Sequence, residues 1–305
     1  MTIEKHVDFY LEPGLRAAAE AGSHNFIGKV LSVLDKGGFS TAIHGNSASE
    51  RLQSDSRNSY AMFHRDQPLN PRGLTMRRVY HYPFWQIEPS PDQWDWRVAR
   101  SRFDTRKINA AEAQKFYNFW RKRLFGAAAQ DSSREGFVYV PLQGRLAERR
   151  SFQTCTPIEM LVATLQQEPG KRVIATLPPN EIITPAEKAK LDTLVRRFPR
   201  LKLRQATMED MLARCDYVVT QNSSVAFNGY FFGKPCVLFA RTDFHHIAGD
   251  VFRNGLEAAF EAAQGELPDF ARYLWWFWQE MSINAGREEA ENKIRQALRR
   301  GGWPI

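Results

Sequence analysis

The second half of the chain alternates short apolar runs with segments that carry helix-start patterns. Strands and helices that alternate in this way are typical of βαβ units and of a parallel sheet. The runs are almost continuously apolar, as expected when helices cover both faces of the sheet. We therefore predict a Rossmann-like domain over residues 135–265, with strands near 137–142, 172–177, 201–204, 217–220 and 235–239.

Helix starts in this half are well marked. Thr156 and Thr184 are each followed by proline and, three residues later, by glutamate. This is the capping-box pattern with proline at the first helical position. A further helix is predicted over residues 224–232, ended by Gly233.

The first half has a weaker pattern. An amphipathic helix is predicted over 26–34, a strand over 40–44, and a helix over 110–124 with Phe116, Phe119, Trp120 and Leu124 on one side. Residues 67–104 are rich in Pro, Trp and Arg, and we interpret them as long loops with short strands. The last forty residues are predicted to be helical and are poorly placed as additional strands.

The composition is that of a globular protein with a basic surface. The 305 residues carry a net charge of +8, and several basic runs occur, among them Arg97-Arg100-Arg102-Arg106-Lys107. Such a surface can attract nucleic acid, anionic lipid or anionic small substrates, or can simply keep the protein in solution. No nucleic-acid-binding motif accompanies the charge, so we predict no nucleic-acid partner.

Cysteine usage and the terminal segments favour a cytoplasmic protein. Cys155, Cys215 and Cys236 are far apart in sequence, which argues against a disulfide framework or a zinc site. Neither a signal peptide nor an apolar stretch of about 20 residues is present. The sequence has no Gly-x-Gly-x-x-Gly fingerprint, so we predict no dinucleotide cofactor. The predicted Rossmann-like domain also has no Asp-x-Asp motif, so we predict no bound metal.

Candidate chemistry is concentrated where a predicted strand meets a predicted helix, at Asn222, Ser223 and Ser224. The start of a helix has unpaired N–H groups, and ligands of α/β proteins bind at the carboxyl edge of the sheet. A phosphate or carboxylate bound here would accept hydrogen bonds from the backbone and from the hydroxyls. The alternative is plain N-capping, because Ser and Asn are favoured caps in any protein.

The segment from Asp216 to Phe239 resembles the capsule-polysaccharide glycosyltransferases, including the bacterial Kdo transferases. The shared pattern is an aspartate, an apolar strand, Asn-Ser-Ser, an apolar helix, Gly-Lys-Pro and another apolar strand. The upstream Val140-Pro141-Leu142-Gln143 resembles the first strand and turn of the same domain. The resemblance covers roughly residues 135–250.

This resemblance implies an α/β fold of the GT-B type, with two Rossmann-like domains facing a cleft. Residues 1–130 would form an N-terminal, acceptor-side α/β domain. The small and polar residues of the segment 126–136 independently indicate a linker there. Residues 131–265 would form the C-terminal nucleotide-sugar domain, and residues 266–305 would be C-terminal helices that pack back on the first domain.

The resemblance also implies a donor site. Gln143, Asn222, Ser223 and Ser224 would contact the nucleotide-sugar donor, which is often a CMP-linked acid sugar in this family. Two positions depart from the family pattern: Pro178 replaces the His of a His-Pro pair, and Asn228 replaces a Glu suited to binding ribose hydroxyls. An amide can still bond a hydroxyl, but without charge assistance.

Further candidates lie on other segments. His245 and His246 follow the last predicted strand and either contact the donor or have a structural role; adjacent histidines are expected to point in different directions, which disfavours a shared metal. On the acceptor side, His24 is a candidate base or a neighbour of a helix cap. Asp66 is a candidate general base or the partner of Arg65 in a surface ion pair.

The predicted function is transfer of a sugar from a nucleotide-activated donor to a glycan or glycolipid acceptor in surface polysaccharide synthesis. The alternatives are a catalytically degenerate binding or scaffold protein on the same fold, or a nucleotide-sugar epimerase or hydrolase. Trp275, Trp276 and Trp278 either pack a C-terminal helix on the first domain or make a peripheral membrane contact.

Overall fold

The computed structural model describes residues 4–177 and 182–305. The chain forms two compact units: unit 1 comprises residues 1–101 and 277–305, and unit 2 comprises residues 102–276. The sequence had placed the boundaries after residues 130 and 265. The helix over 110–130 instead falls in unit 2, and the chain re-enters unit 1 at Phe277.

The described strands are β1 His6–Leu11, β2 Ser40–Gly45, β3 Tyr60–His64, β4 Gly73–Arg78, β5 Phe84–Glu88, β6 Phe137–Pro141, β7 Arg172–Thr176, β8 Leu201–Arg204, β9 Tyr217–Thr220, β10 Cys236–Leu238, β11 Gly249–Asp250 and β12 Ile283–Asn284. The described α-helices are α1 Pro13–Glu20, α2 Asn25–Lys36, α3 Ala48–Ser56, α4 Arg97–Arg100, α5 Ala110–Gln130, α6 Pro157–Gln167, α7 Pro185–Arg197, α8 Met208–Arg214, α9 Ser224–Gly229, α10 Val251–Asn254, α11 Leu256–Gln264, α12 Phe270–Trp275 and α13 Ala290–Arg300.

Unit 1 is built on a six-stranded sheet in the order β12-β5-β4-β3-β1-β2. The four strands β2, β1, β3 and β4 are parallel, whereas β5 is antiparallel to β4 and β12 is antiparallel to β5. The expectation that the C-terminal segment adds no strand is therefore wrong, because β12 extends the sheet. β1 and β3 were not predicted from the sequence.

The main core of unit 1 joins one sheet face to helices α2 and α13. β1 contributes Val7, Phe9 and Leu11 to this core, and α13 contributes Ile294 and Leu298. The predicted packing of the C-terminal helix on the first domain is thereby confirmed. The intervening Asp8 lies on the opposite face of the strand, since side chains alternate along β1.

Unit 2 contains a fully parallel sheet in the order β11-β10-β9-β6-β7-β8. In chain order this is the 3-2-1-4-5-6 arrangement of the Rossmann fold. All five predicted strands are present, and β11 is an addition. Thr156 and Thr184 both form the predicted capping boxes, and Gly233 ends its helical segment with a left-handed φ of 68°.

Helix α5 is longer than predicted and is broken at Gly126, whose φ of 54° is non-helical. Its predicted apolar side is only partly correct: Trp120 is buried, but Phe119 is 56% exposed. The buried side includes Tyr117, whose hydroxyl donates to the carbonyls of Tyr230 and Phe231 at 3.0 and 3.1 Å. Packing within unit 2 therefore determines which side of α5 is buried.

The C-terminal tryptophans pack inside the protein. Trp276 and Trp278 are buried and Trp275 is half-buried. Trp278 stacks on Phe84 of unit 1 with ring centroids 4.3 Å apart. Across the described residues, no helix combines the length and apolar character that crossing a membrane requires.

Candidate functional site

The candidate site of unit 2 lies where the strand order changes direction. β6 pairs with β7 on one side and with β9 on the other, so the chain leaves these strands toward opposite ends of the sheet. The ends of β6 and β9 are joined by a hydrogen bond from Thr220 Oγ1 to the carbonyl of Pro141, at 3.3 Å. Ligands of doubly wound proteins bind outside the carboxyl ends of the strands at this switch point.

Gln143 and Asn222 meet at this switch point. The Asn222 backbone N–H donates to Gln143 Oε1 at 3.4 Å, and its side-chain amide donates to the carbonyl of Arg241 at 3.4 Å. Asn222 thus connects the three loops that follow β6, β9 and β10. The two residues were predicted from separate segments, and the fold brings them together.

Gln221, which the sequence analysis did not select, is buried beneath this edge with 1% exposure. Its side-chain N–H donates to the carbonyl of Cys155 at 3.0 Å. Its Oε1 is buried and accepts no hydrogen bond from any described residue. The available signal was a polar residue directly after a buried strand, a position where side chains must find partners.

The two adjacent serines have different structural roles. Ser223 is the N-cap of α9, and its hydroxyl oxygen accepts from the N–H of Val225 at 3.3 Å. Ser224 is the first residue of α9 and is exposed. The capping alternative therefore describes Ser223, while the Ser224 hydroxyl is presented to solvent.

Asn228 lies near the end of α9 and is buried. It is 7% exposed, and its amide donates to Met208 Sδ at 3.2 Å. The side chain therefore faces the start of α8. Pro178, the second departure from the family pattern, lies outside the described residues.

His245 and His246 open a 3₁₀ turn after β10, and their rings stack with centroids 4.2 Å apart. The expectation that they point in different directions is wrong, because they lie in neither a strand nor an α-helix. His245 Nδ1 donates to the carbonyl of Thr242 at 3.0 Å, which leaves the lone pair on Nε2. Burial lowers the pKa of His245 and favours the neutral ring.

His246 is held by aromatic residues of the same unit. Its Nδ1 is 3.1 Å from the hydroxyl of Tyr273, and its ring packs edge-on against Trp276. Within the described residues, no group of three or more His, Cys, Asp or Glu side chains is arranged to hold a metal ion.

In unit 1, Asp66 follows β3 at the carboxyl edge of the parallel strands. Its Oδ1 forms an ion pair with Arg51 of α3 at 3.1 Å, and not with Arg65 as expected. Arg65 has a left-handed φ of 67°, which turns the backbone after β3 and directs Asp66 toward α3. Such strained non-glycine residues are concentrated at functional edges of proteins.

His24 is the N-cap residue of α2. Its Nδ1 accepts from the N–H of Ile27 at 3.2 Å, so the proton of the neutral ring lies on Nε2. Burial lowers the pKa of His24 and favours that neutral form. Its ring also packs edge-on against Trp85, with centroids 5.4 Å apart.

A further polar cluster in unit 1 was missed by the sequence analysis. The buried Asp8 carboxylate accepts hydrogen bonds from Ser59, His44 and Arg57, each at 2.6 Å. Burial raises the pKa of Asp8, but the hydrogen bonds from Ser59 and His44 and the charge of Arg57 outweigh it, so the pKa is lowered. The signal was an aspartate inside the apolar run of β1, since a buried carboxylate needs partners.

Comparison with known proteins extends the resemblance to the whole fold. No protein-family model and no curated protein sequence matches this chain. Among solved structures, the KpsC β-Kdo 2,7-transferase of Thermosulfurimonas dismutans is similar, with 12% identity, a TM-score of 0.53, and 97% of this chain and 99% of that chain covered.

Two other solved structures are less similar. The KpsC β-Kdo 2,4-transferase of the same organism has 10% identity and a TM-score of 0.49, with 97% and 98% of the two chains covered. The UDP-GlcNAc 2-epimerase of Neisseria meningitidis has 10% identity and a TM-score of 0.38, with 97% and 99% covered. At such identities the first similarity establishes the fold, so the chain has a GT-B-like α/β fold.

Proposed function

We propose that this protein is a glycosyltransferase that moves a sugar from a nucleotide-activated donor to a glycan or lipid-linked acceptor in surface polysaccharide synthesis. The observation that carries the proposal is the meeting of Gln143 and Asn222 at the switch point of a Rossmann-ordered sheet. Its GT-B-like fold, similar to that of a Kdo transferase, supports the choice of reaction. A CMP-linked acid sugar is the first donor to test.

In this proposal the donor phosphates lie against the loop after β9. The exposed Ser224 hydroxyl and the amide of Asn222 donate hydrogen bonds to phosphate oxygens. Neutral His245 is near the same edge, after β10. Groups that are already positioned in this way stabilise the charge that develops on the leaving phosphate.

Asp66 is the proposed general base that accepts the proton of the acceptor hydroxyl. Its ion pair with Arg51 keeps one carboxylate oxygen occupied and orients the other. Oδ2 is buried and accepts no hydrogen bond from a described residue, so its lone pairs are unused, and an acceptor hydroxyl would have to displace the groups that cover it. His24 is the weaker candidate, because its Nδ1 is already the acceptor of the α2 cap.

A second candidate function is a binding or scaffold protein that has lost catalysis. The observation that favours it is Asn228, which replaces the family's Glu and faces Met208 from a buried position. An epimerase or hydrolase on the same fold would consume the donor without forming an acceptor product. Incubation of the bound nucleotide sugar with and without acceptor glycans distinguishes these three functions.

The substitution Gln143→Glu tests the donor site. A glutamate keeps an acceptor for the Asn222 N–H, so the loop geometry is preserved, but it places a negative charge beside the proposed phosphates. Like charges brought together at a binding site weaken affinity, here by about tenfold or more. Thermal shift and calorimetric titration with CMP, UDP, GDP and their sugars measure the effect.

Gln166→Glu is the matched control. Gln166 is exposed near the end of α6, which leads into the start of β7 at the opposite edge of the same sheet. It receives the same charge change and should leave nucleotide affinity unchanged. The donor-site proposal fails if no nucleotide stabilises the protein, or if both variants bind equally well.

A further inference from the structure

Unit 1 contains a cavity of about 400 Å³. It lies at the edge of the sheet opposite to the one that carries Asp66. Its lining includes Glu88 at the end of β5, Arg97 and Arg100 of α4, and Arg300 at the end of α13. Glu88 pairs with Thr75, close to where β4 begins. The cavity therefore lies at the amino edge of β4, whereas Asp66 follows the carboxyl end of β3.

The charges around this cavity are not balanced. Three guanidinium groups face one carboxylate, and Glu88 is 6% exposed. The Glu88 Oε1 accepts the backbone N–H of Arg97 at 3.0 Å, which caps the start of α4. In the part of the chain that the structure describes, none of the three guanidinium groups donates a hydrogen bond to a protein acceptor.

This arrangement disfavours the charged forms of both the arginine and the carboxylate, as the pKa shifts of Arg300 and Glu88 show. Burial lowers the pKa of Arg300, and the nearby positive charge of Arg97 lowers it further. Burial also raises the pKa of Glu88, although the Arg97 N–H and the three arginines oppose that change. Concentrated positive charge with vacant N–H donors is stabilised when an anion binds.

We propose that this cavity binds the phosphate group of a phosphorylated sugar or polyol. The planar guanidinium groups donate paired N–H bonds to phosphate oxygens, and the charge excess of two matches a phosphate dianion. Glu88 accepts a hydrogen bond from a hydroxyl next to the phosphate. The volume is in the range of small-ligand sites. Such a phosphate group is found on a free metabolite and on a lipid headgroup.

Calorimetric titration of the full-length protein with glucose 6-phosphate and with glycerol 3-phosphate, at constant ionic strength, tests the proposal. Arg300→Ala should weaken binding by about tenfold, because it removes a charge-assisted contact. Arg295→Ala, on the same helix but outside the cavity lining, is the matched control and should bind as the unmodified protein does. Equal affinities of these two variants would overturn the proposal.

Glu88→Gln provides a test of opposite sign. Glutamine retains the oxygen that caps α4, so the fold is kept, and it removes the negative charge next to the ligand. Phosphate affinity should rise several-fold, up to about tenfold, since a like charge has been removed. A fall or no change in affinity in a folded Glu88→Gln protein contradicts the assigned site.

Co-sedimentation with vesicles of phosphatidylcholine, with and without phosphatidic acid, identifies the source of the phosphate. Soluble phosphates that bind without competition from vesicles indicate a metabolite. Vesicle binding that depends on phosphatidic acid and is lost in Arg300→Ala but not in Arg295→Ala indicates a headgroup. Binding of neither probe would refute the proposal.

Discussion

The Asp8 cluster allows a quantitative test of how unit 1 is held together. In Asp8→Asn the side chain keeps its size but has a single acceptor oxygen and turns an N–H₂ group toward the remaining donors. Ser59, His44 and Arg57 each lie 2.6 Å from the carboxylate, and Asp8 is 3% exposed. The substitution therefore removes partners that water cannot replace.

The expected loss of stability follows from these contacts. Hydrogen bonds to a charged group contribute about 1.5–3 kcal/mol each. The Arg57 side chain is 32% exposed, so solvent screening reduces its share. With one acceptor retained, we expect Asp8→Asn to lower the free energy of unfolding by about 2–4 kcal/mol, equivalent to roughly 10 °C in Tm.

Thermal unfolding followed by circular dichroism measures this loss. Ser59→Ala removes one hydrogen bond and should have a smaller effect, while Asp35→Asn changes an exposed carboxylate and should have almost none. The pKa of Asp8 is lowered on folding, so its contribution is full above about pH 4 and is lost as the pH falls through the folded-state pKa. An unchanged Tm at pH 7, or a difference that does not shrink in acid, would refute the reasoning.

Two other predictions test the core of unit 2 and the proposed base. A Cβ at Gly249 would overlap the carbonyl oxygen of Ala259, so Gly249→Ala should lower the free energy of unfolding of unit 2 by about 3 kcal/mol, measured by denaturant unfolding. Gly170 has open space around it, so the control Gly170→Ala should change the stability little. Equal stabilities of the two variants would contradict the clash. With the donor identified, Asp66→Asn should lower kcat by about 100-fold and leave nucleotide affinity unchanged, and retained turnover would exclude Asp66 as the base.

The sequence was most informative where the signals are local. The capping boxes at Thr156 and Thr184 and the left-handed Gly233 depend on residues within a few positions, and the structure confirms them. The apolar strands of unit 2 are equally clear because helices cover both faces of the sheet. The resemblance carried by the segment from Asp216 to Phe239 anticipated the GT-B-like fold.

The rest depended on distant contacts. β1 was missed because Asp8 interrupts its apolar pattern, and the partners that make this aspartate acceptable are 36 to 51 residues away. The stacking of His245 on His246 follows from a 3₁₀ turn that no local pattern specified. The arginine-lined cavity brings together residues from α4 and α13, which are about 200 positions apart in the chain.

The division of unit 1 into two chain segments has a consequence for synthesis. Unit 2 is continuous in sequence and can fold as it leaves the ribosome. Unit 1 cannot be completed until all of unit 2 has been synthesised, because its last segment begins at Phe277. At about 5–20 residues per second this interval is about 10–35 s. During that time the apolar side of α2, with Val30 and Leu34, lacks the cover that α13 later provides. The nascent chain should therefore depend on chaperone protection of its N-terminal third.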